Sequence, residues 1–278
     1  MFKVNVFDIE RGSYVDGPGI RTTVFFKGCN LHCAWCHNPE SQSVEKQKMR
    51  FPSKCTGCGT CKTICPSAEG CTLCGKCEAY CPNDAIRICG KEMTPDEILD
   101  EIQKDVNYYD NTGGGVTFSG GECMLQIDAL TELLRLCKEH GIHTAVDTAG
   151  HVPYDYFERI LPFTDLFLLD LKCMDPERHR IFTGVTNDRI LSNLKALLKT
   201  QAHIWIRIPV VVGVNDTEEE MESVRQFFSF YGAPEKIELL PYHKMGEHKY
   251  AALGRSLKAF EIPTKERIDE LYKTVRSR

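Results

Sequence analysis

A chain of 278 residues, 42% hydrophobic and 26% charged, can bury a substantial core in one large domain, alone or with a small insert. A net charge of −5 argues against bulk binding to nucleic acid, and no apolar run approaches the length that crosses a bilayer. Residues 1–10 lack the apolar core of a secretion signal, so a cytoplasmic protein is expected, where fifteen cysteines suggest metal ligation or catalysis more than disulfides.

The first predicted strand covers 22–26 and is entered through the breaker sequence Asp16-Gly17-Pro18-Gly19. The loop behind it, residues 28–40, reads G-C-N-L-H-C-A-W-C-H-N-P-E and sets Cys29, Cys33 and Cys36 in a C-x3-C-x2-C pattern. Three thiolates so close can ligate three corners of a 4Fe–4S cubane, leaving the fourth iron open to a small molecule. A structural zinc is the alternative, but zinc sites favour paired C-x2-C knuckles with a distant second half, and no His or Cys completes that set here.

Between 51 and 90 the texture changes. Cys55, Cys58, Cys61 and Cys65 precede Pro66; Cys71, Cys74, Cys77 and Cys81 precede Pro82, so C-x2-C-x2-C-x3-C-P occurs twice. In this ferredoxin pattern the fourth cysteine of each run serves the other cluster. One 4Fe–4S cluster is therefore assigned to Cys55, Cys58, Cys61 and Cys81, and a second to Cys71, Cys74, Cys77 and Cys65. A segment of about forty residues cannot sustain a core unaided, so the clusters themselves would hold it folded. The reading is a ferredoxin-like domain at 51–90, with a short linker at 66–70, inserted into a larger domain made of 1–50 and 91–278.

After the insert, helices and strands alternate. Thr94-Pro95-Asp96-Glu97 reads as a capping box that opens a helix, with Ile98, Leu99 and Ile102 on its apolar face. A strand at 116–119 runs into Gly120-Gly121-Glu122. A helix then passes through Leu130, Leu133, Leu134 and Cys137, and a strand at 142–146 ends at Asp147-Thr148. A helix at 154–160 precedes an apolar strand at 166–169, which ends at Asp170-Leu171-Lys172. Residues 187–199 carry a helical period, 204–212 form a β-rich run containing Arg207, and Thr217 to Glu220 reads as a second capping box. The strand at 237–240 ends at Pro241-Tyr242-His243, and a last helix covers 264–275.

Six strands that are mainly continuous apolar runs, alternating with helices, favour a parallel α/β sheet covered by helices. Six units fit a partial barrel or an open sheet, and the sequence pattern leaves both open. In either, functional residues lie at the carboxyl ends of strands. That rule gathers the cysteine triplet, Gly120, Gly121, Glu122, Asp147, Thr148, Asp170, Lys172, Arg207 and His243 into one candidate site.

The C-x3-C-x2-C triplet is the signature of the radical S-adenosylmethionine enzymes. With Asp16-Gly17-Pro18-Gly19-Ile20-Arg21 before it and Trp35-Cys36-His37-Asn38-Pro39-Glu40 at its end, the chain resembles the activating enzymes of glycyl radical enzymes over nearly its whole length. The resemblance implies a partial (β/α)6 barrel of radical S-adenosylmethionine type, with a 4Fe–4S cluster on Cys29, Cys33 and Cys36. Gly120, Gly121, Glu122, Asp170, Lys172, Arg207 and His243 would hold S-adenosylmethionine, and Trp35 and His37 would meet its adenine mainly through backbone groups. It further implies a monovalent cation near the cofactor carboxylate, with Asp147, Thr148 and Asp170 as candidate ligands. Asp16 and Gly17 would hold the glycine-bearing peptide of a partner enzyme.

The implied chemistry is reductive cleavage of S-adenosylmethionine, after which a 5′-deoxyadenosyl radical takes a hydrogen from one glycine α-carbon of that glycyl radical enzyme. Flavodoxin or ferredoxin would supply the electrons, the clusters would number three, and neither nucleic acid nor membrane is expected as a partner. A radical enzyme acting on a small molecule or RNA, and a non-catalytic iron–sulfur carrier, are the competing functions. Cys89, Cys123, Cys137 and Cys173 are given no ligand role, and Cys137 reads as a small apolar residue on a buried helix face.

Overall fold

The computed structural model describes residues 3–67 and 70–276; Ala68 and Glu69 of the short linker in the insert lie outside the described residues. The chain opens with β1 (Val4–Ser13) and β2 (Arg21–Phe26). Strands β3 (Gln47–Arg50) and β4 (Ile86–Cys89) pair only with each other, and between them lie the one-turn helices α1 (Thr60–Thr63) and α2 (Lys76–Ala79). After β5 (Lys91–Met93), α3 (Pro95–Gln103) and α4 (Val106–Thr112), regular alternation sets in with β6 (Gly115–Gly120), α5 (Ile127–Glu139), β7 (Thr144–Thr148), α6 (Tyr154–Ile160) and β8 (Leu166–Asp170). It continues through α7 (Pro176–Thr183), α8 (Asp188–Leu197), β9 (Ile204–Val210), α9 (Glu218–Tyr231) and β10 (Lys236–Pro241), and closes with α10 (Glu247–Ala252) and α11 (Lys265–Arg276).

The main sheet has the order β10-β9-β8-β7-β6-β2-β1-β5. From β2 through β10 its neighbours are all parallel and stand side by side in chain order, as a partial (β/α)6 barrel requires. Antiparallel β1 and β5 extend it beyond β2. These two strands escaped the sequence reading, because β1 threads Asp8, Glu10 and Arg11 among its apolar residues and β5 is three residues long. The strand expected at 142–146 starts at Thr144 instead: the Ile142 amide donates to the Cys137 carbonyl and closes the turn behind α5.

Helix α3 starts with the expected capping box, in which the Glu97 amide donates to Thr94 Oγ1 (3.2 Å) and the Thr94 amide donates to Glu97 Oε2 (2.8 Å). The second box forms only by half. The Glu220 amide donates to Thr217 Oγ1, but the Glu220 carboxylate turns to the Met174 amide and Cys173 thiol behind β8. Helix α5 buries Leu130, Leu133, Leu134 and Cys137 completely, and burial pushes the Cys137 thiol up to about 12, as suits an apolar filler. Among the described residues no helix is long and apolar enough to cross a membrane.

Strand parity sorts the two faces of the sheet. Val146, Phe167, Leu169, Ile206 and Ile208 join the core under the helices. On the opposite, inner face Ala145, Leu166, Leu168 and Trp205 form a small apolar floor. One step further along the same strands that face turns polar, with Ser119, Asp147, Asp170 and Arg207, which is the layer the site uses. Arg21 is wholly buried near the strand starts, Nε donating to Thr117 Oγ1 (2.6 Å) and a terminal nitrogen to the Pro18 carbonyl (3.1 Å).

Buried Asp105 joins β1, β2 and α4. It accepts from Arg11 Nε (2.8 Å) and Thr22 Oγ1 (2.7 Å), and Tyr109 Oη donates to the same threonine hydroxyl (2.5 Å). The Arg11 guanidinium holds this carboxyl below its usual range, so its contribution to stability is present at neutral pH and is lost as pH falls through that lowered value. Asp105→Asn is expected to cost about 1–3 kcal/mol at pH 7 in urea unfolding. Its deficit against the parent should shrink below roughly pH 4; a deficit independent of pH would contradict the assignment.

Candidate functional site

The cysteine loop begins where β2 ends. Gly28 turns the chain with φ +108°, its amide donating to the Ser41 carbonyl (2.7 Å), and the Cys29 amide donates to the Gln42 carbonyl (3.2 Å). The loop is pinned from outside at three more points: His32 and Ala34 amides donate to the carbonyls of Thr183 and Phe182, and Tyr250 Oη donates to the Cys36 carbonyl (3.0 Å). Trp35 packs edge-on against Phe260, with ring centroids 6.2 Å apart, and beside Phe182, so its indole is core. Burial pushes Cys29 and Cys36 up to about 12, and raises Cys33 as well, while the Lys172 ammonium favours the thiolates of Cys33 and Cys36. Three desolvated thiols that disfavour one another's ionisation need added positive charge to serve as thiolates, and a cationic iron–sulfur core supplies it.

Ahead of this loop the inner faces of β6, β7, β8 and β9 bring charges together. Asp147 accepts from Ser119 Oγ (2.6 Å) and lies 3.5 Å from an Arg207 terminal nitrogen. Asp170 pairs with Lys172 at 2.7 Å, and its register partner in the sheet is Arg207. The loop before β2 reaches across to join them: Asp16 accepts from Ser13 Oγ (2.6 Å) and Thr23 Oγ1 (2.9 Å), its carbonyl accepts from Thr117 Oγ1 (2.7 Å), and its other carboxylate oxygen stands 4.0 Å from Arg207. Two of the Arg207 nitrogens, Nε and the one facing the aspartates, are buried with no hydrogen-bond partner among the described residues. Burial, with Asp170 and Asp16 adding to it against the pull of Arg207, pushes Asp147 up to about 6. For Lys172 burial works the other way and is outweighed by Asp170, Cys33 and Asp147, so the ammonium is held above its usual range.

Gly120 and Gly121 have a packing reason to be glycine. A Cβ on Gly120, whose φ is +119°, would stand 2.3 Å from the Phe26 amide and carbonyl; one on Gly121 would stand 2.1 Å from the Gly28 carbonyl. Because the backbones approach so closely, pairing continues beyond the strands: Gly121 donates to the Phe26 carbonyl (2.9 Å) and Glu122 to the Gly28 carbonyl (2.8 Å). The Glu122 side chain then turns inward and accepts from Thr148 Oγ1 (2.8 and 2.9 Å) and the amides of Ala149 (3.0 Å) and Met124 (3.2 Å). Burial raises this carboxyl to about 7. Glu122 therefore anchors β6 to β7, and the Thr148 hydroxyl is committed to it and to the Gly150 amide, whereas Asp170 keeps one oxygen outside its lysine pair.

His37 and His243 are brought together face to face, centroids 3.9 Å apart, with His37 Nε2 at 3.0 Å from the His243 carbonyl. Burial, and His243 beside it, lower His37 to about 4, leaving it neutral at physiological pH. The insert cysteines form a separate set. Cys55, Cys58, Cys61 and Cys81 line one cavity of about 150 Å³, the grouping that the crossed ferredoxin pattern assigns to one cluster. Thiols here receive hydrogen bonds: the Ala85 amide donates to Cys81 Sγ (3.3 Å), and the Arg50 guanidinium donates to Cys55 Sγ (3.6 Å).

Sequence reasoning missed Ser119, Thr23 and Thr117, the hydroxyls that hold Asp147 and Asp16. For Ser119 the signal was present in strand parity, since it shares the inner face with Asp147; Asp16 lies in a loop, and parity gives no sign of its partners. It also missed Lys249, which binds Asn38 Oδ1 (2.6 Å) and Glu40 (2.7 Å), and Asn215, whose amide ties the Lys172 and Pro209 carbonyls together. Short α10 and an isolated loop asparagine have no periodic signature.

A family model described as the radical SAM superfamily matches residues 66–227. The trans-4-hydroxy-L-proline dehydratase activating enzyme of Clostridioides difficile is 43% identical, over 96% of this chain and 94% of that protein. The choline trimethylamine-lyase activating enzyme of Oleidesulfovibrio alaskensis is 41% identical, over 91% of this chain and 87% of its own. Among solved structures, a domain of pyruvate-formate lyase-activating enzyme from Bacteroides vulgatus aligns with a TM-score of 0.51 and 32% identity, covering 58% of this chain and 92% of that domain.

Gly121→Ala tests the close approach that seats the cysteine loop. The added methyl must displace Gly28, at an expected cost of about 1–3 kcal/mol. Thermal unfolding under argon should show the loss, and iron bound per chain after reconstitution should fall; a variant with parental melting and iron content would contradict the packing account.

Proposed function

The chain belongs to the radical S-adenosylmethionine superfamily and, within it, to the activating enzymes of glycyl radical enzymes, and we propose how its residues divide that task. Its substrate is a glycyl radical enzyme. When bound, the cluster supplies one electron to the sulfonium of S-adenosylmethionine, and the resulting 5′-deoxyadenosyl radical takes a hydrogen from the partner's glycine α-carbon.

Cys29, Cys33 and Cys36 hold the site cluster. Lys172, paired with Asp170 and fixed in its charged form, meets the methionine carboxylate, and Asp170 with Asp147 offers oxygens to a monovalent cation beside it. The backbone at Gly120 and Gly121 receives the amino end, with Glu122 and Thr148 holding that turn in place rather than touching the cofactor. The His37–His243 stack and the loop backbone at Trp35 flank the nucleoside. Asp16 and Gly17 hold the partner's peptide. The observation that carries this reading is the meeting of the Asp16 loop with Asp147 and Arg207 on one inner face, with the Asp170–Lys172 pair on the neighbouring strand end. A peptide held by the first and a nucleotide held by the second would share one mouth.

The insert at 51–90 is read as a ferredoxin-like domain with two further 4Fe–4S clusters, one on Cys55, Cys58, Cys61 and Cys81 and one on Cys65, Cys71, Cys74 and Cys77, which makes three in all. The cavity shared by the first four supports the grouping. Flavodoxin or a ferredoxin is the proposed electron source, and the cytoplasm the proposed setting.

Anaerobic reconstitution followed by reduction tests the division of labour. Cys36→Ala is expected to abolish formation of 5′-deoxyadenosine, measured by chromatography, because the site cluster loses a corner. Cys58→Ala should retain part of it with a chemical reductant; identical behaviour of the two variants would overturn the separation of site and auxiliary clusters. Transfer of the radical to a candidate partner is read as a doublet in its paramagnetic resonance spectrum.

A further inference from the structure

The two halves of the insert are copies of one pattern, Cys55-Thr56-Gly57-Cys58-Gly59 answering to Cys71-Thr72-Leu73-Cys74-Gly75. Their backbones agree closely. Gly59 and Gly75 cap α1 and α2 with φ of 79° and 78° and the same ψ of −9°, and Gly57 (φ 75°) is matched by Leu73 (φ 55°) in the left-handed region although Leu73 carries a side chain. The amides of Thr60 and Lys76 approach Cys58 and Cys74 in the same way. With the main chain of these two turns alike, side chains can set the two proposed clusters apart.

Thr60 Oγ1 lies 3.4 Å from Cys58 Sγ where the second half has Lys76, but among the described residues one charged side chain alone bonds to an insert sulfur. Arg50 donates from a terminal nitrogen to Cys55 Sγ at 3.6 Å and lines the cavity shared by Cys55, Cys58, Cys61 and Cys81. Its backbone is fixed in β3, paired with Ile86 of β4. It forms no ion pair with any carboxylate among the described residues. The position that answers to Arg50 in the second half is Pro66, which has no donor to offer, and Cys71, the counterpart of Cys55, has no hydrogen bond among the described residues. Lys48 contributes at long range to Cys77 without bonding to sulfur.

A charged donor on a ligating sulfur favours the more negative, reduced form of a cluster and so raises its potential. We propose that Arg50 sets the cluster on Cys55, Cys58, Cys61 and Cys81 at a higher potential than its twin, making it the electron-accepting member of the pair. The inference rests on the two-cluster reading of the insert. Each transfer moves one electron, lost by the twin and gained by the Arg50 cluster, with no bond or proton exchanged; a low-potential one-electron carrier protein refills the donor. Arg50 is a positioning residue here: it acts through the sulfur.

The test is a redox titration of the reconstituted full chain, followed by paramagnetic resonance under argon, for the parent, Arg50→Gln, Arg50→Lys and Lys54→Gln. The parent should show two auxiliary midpoints. Arg50→Gln should lower the upper one and leave the other, Arg50→Lys should move the same midpoint less, because the charge stays while the N–H leaves the sulfur, and Lys54→Gln, whose cation lies over the Phe51 ring, should move neither. Unmoved midpoints in Arg50→Gln, or in Arg50→Lys should Arg50→Gln fail to hold its cluster, would overturn the proposal, as would an equal shift in Lys54→Gln. A parent that binds iron for the site cluster alone overturns the two-cluster reading itself, a result told apart by iron content before any titration.

Discussion

The cysteine loop depends on how closely the backbones of β2 and β6 approach one another. Gly120 and Gly121 leave no space for a methyl group against Phe26 and Gly28, and that contact lets two extra amide bonds run past the strand ends. Cys29 follows directly on the last of these residues, so the position of the first thiol is a consequence of a seam in the sheet. Glu122 carries the same constraint sideways. Its buried carboxylate spends its acceptors on Thr148, Ala149 and Met124, which joins the end of β6 to the end of β7 and sets Asp147 beside Ser119. The carboxylate that the sequence offered to the ligand is thus bonded to the ends of both strands.

Charge on the inner face follows a second rule. Three aspartates and two cations are withdrawn from water together, and each is tolerable because of the others. The arrangement is not self-sufficient, however. Two buried Arg207 nitrogens find no acceptor among the described residues, Asp147 is pressed toward neutrality, and Lys172 is held charged by Asp170, Cys33 and Asp147. Were S-adenosylmethionine bound here as proposed, its carboxylate would answer the cations, and its sulfonium and amino group the carboxylates.

Much of this was legible beforehand. The cysteine spacings, the capping box at Thr94 and the apolar runs of β6 to β10 are local signals, and the strand-end rule gathered the charged residues correctly onto one face. What escaped was of two kinds. β1, β5 and α10 are too mixed or too short to show a period, and their existence follows from what they pack against. The mutual bonds of Glu122 and Thr148 turned on side-chain direction, and spacing carries no record of it. Glu220 is the same case, a helix-cap residue by sequence that serves the turn after β8 instead.

The segment around α10 clasps the loop that bears Cys36. Tyr250 holds the Cys36 carbonyl across 214 positions of sequence, Lys249 holds Asn38 across 211, and Arg255 holds the Pro39 carbonyl across 216. A polypeptide still emerging from the ribosome therefore owns all three thiols of the first motif long before it owns the latch that shapes them. A cluster proposed for these thiols would meet an unformed nest until the segment around α10 has been made. The order in which the gene is read thus places the scaffold before the clasp.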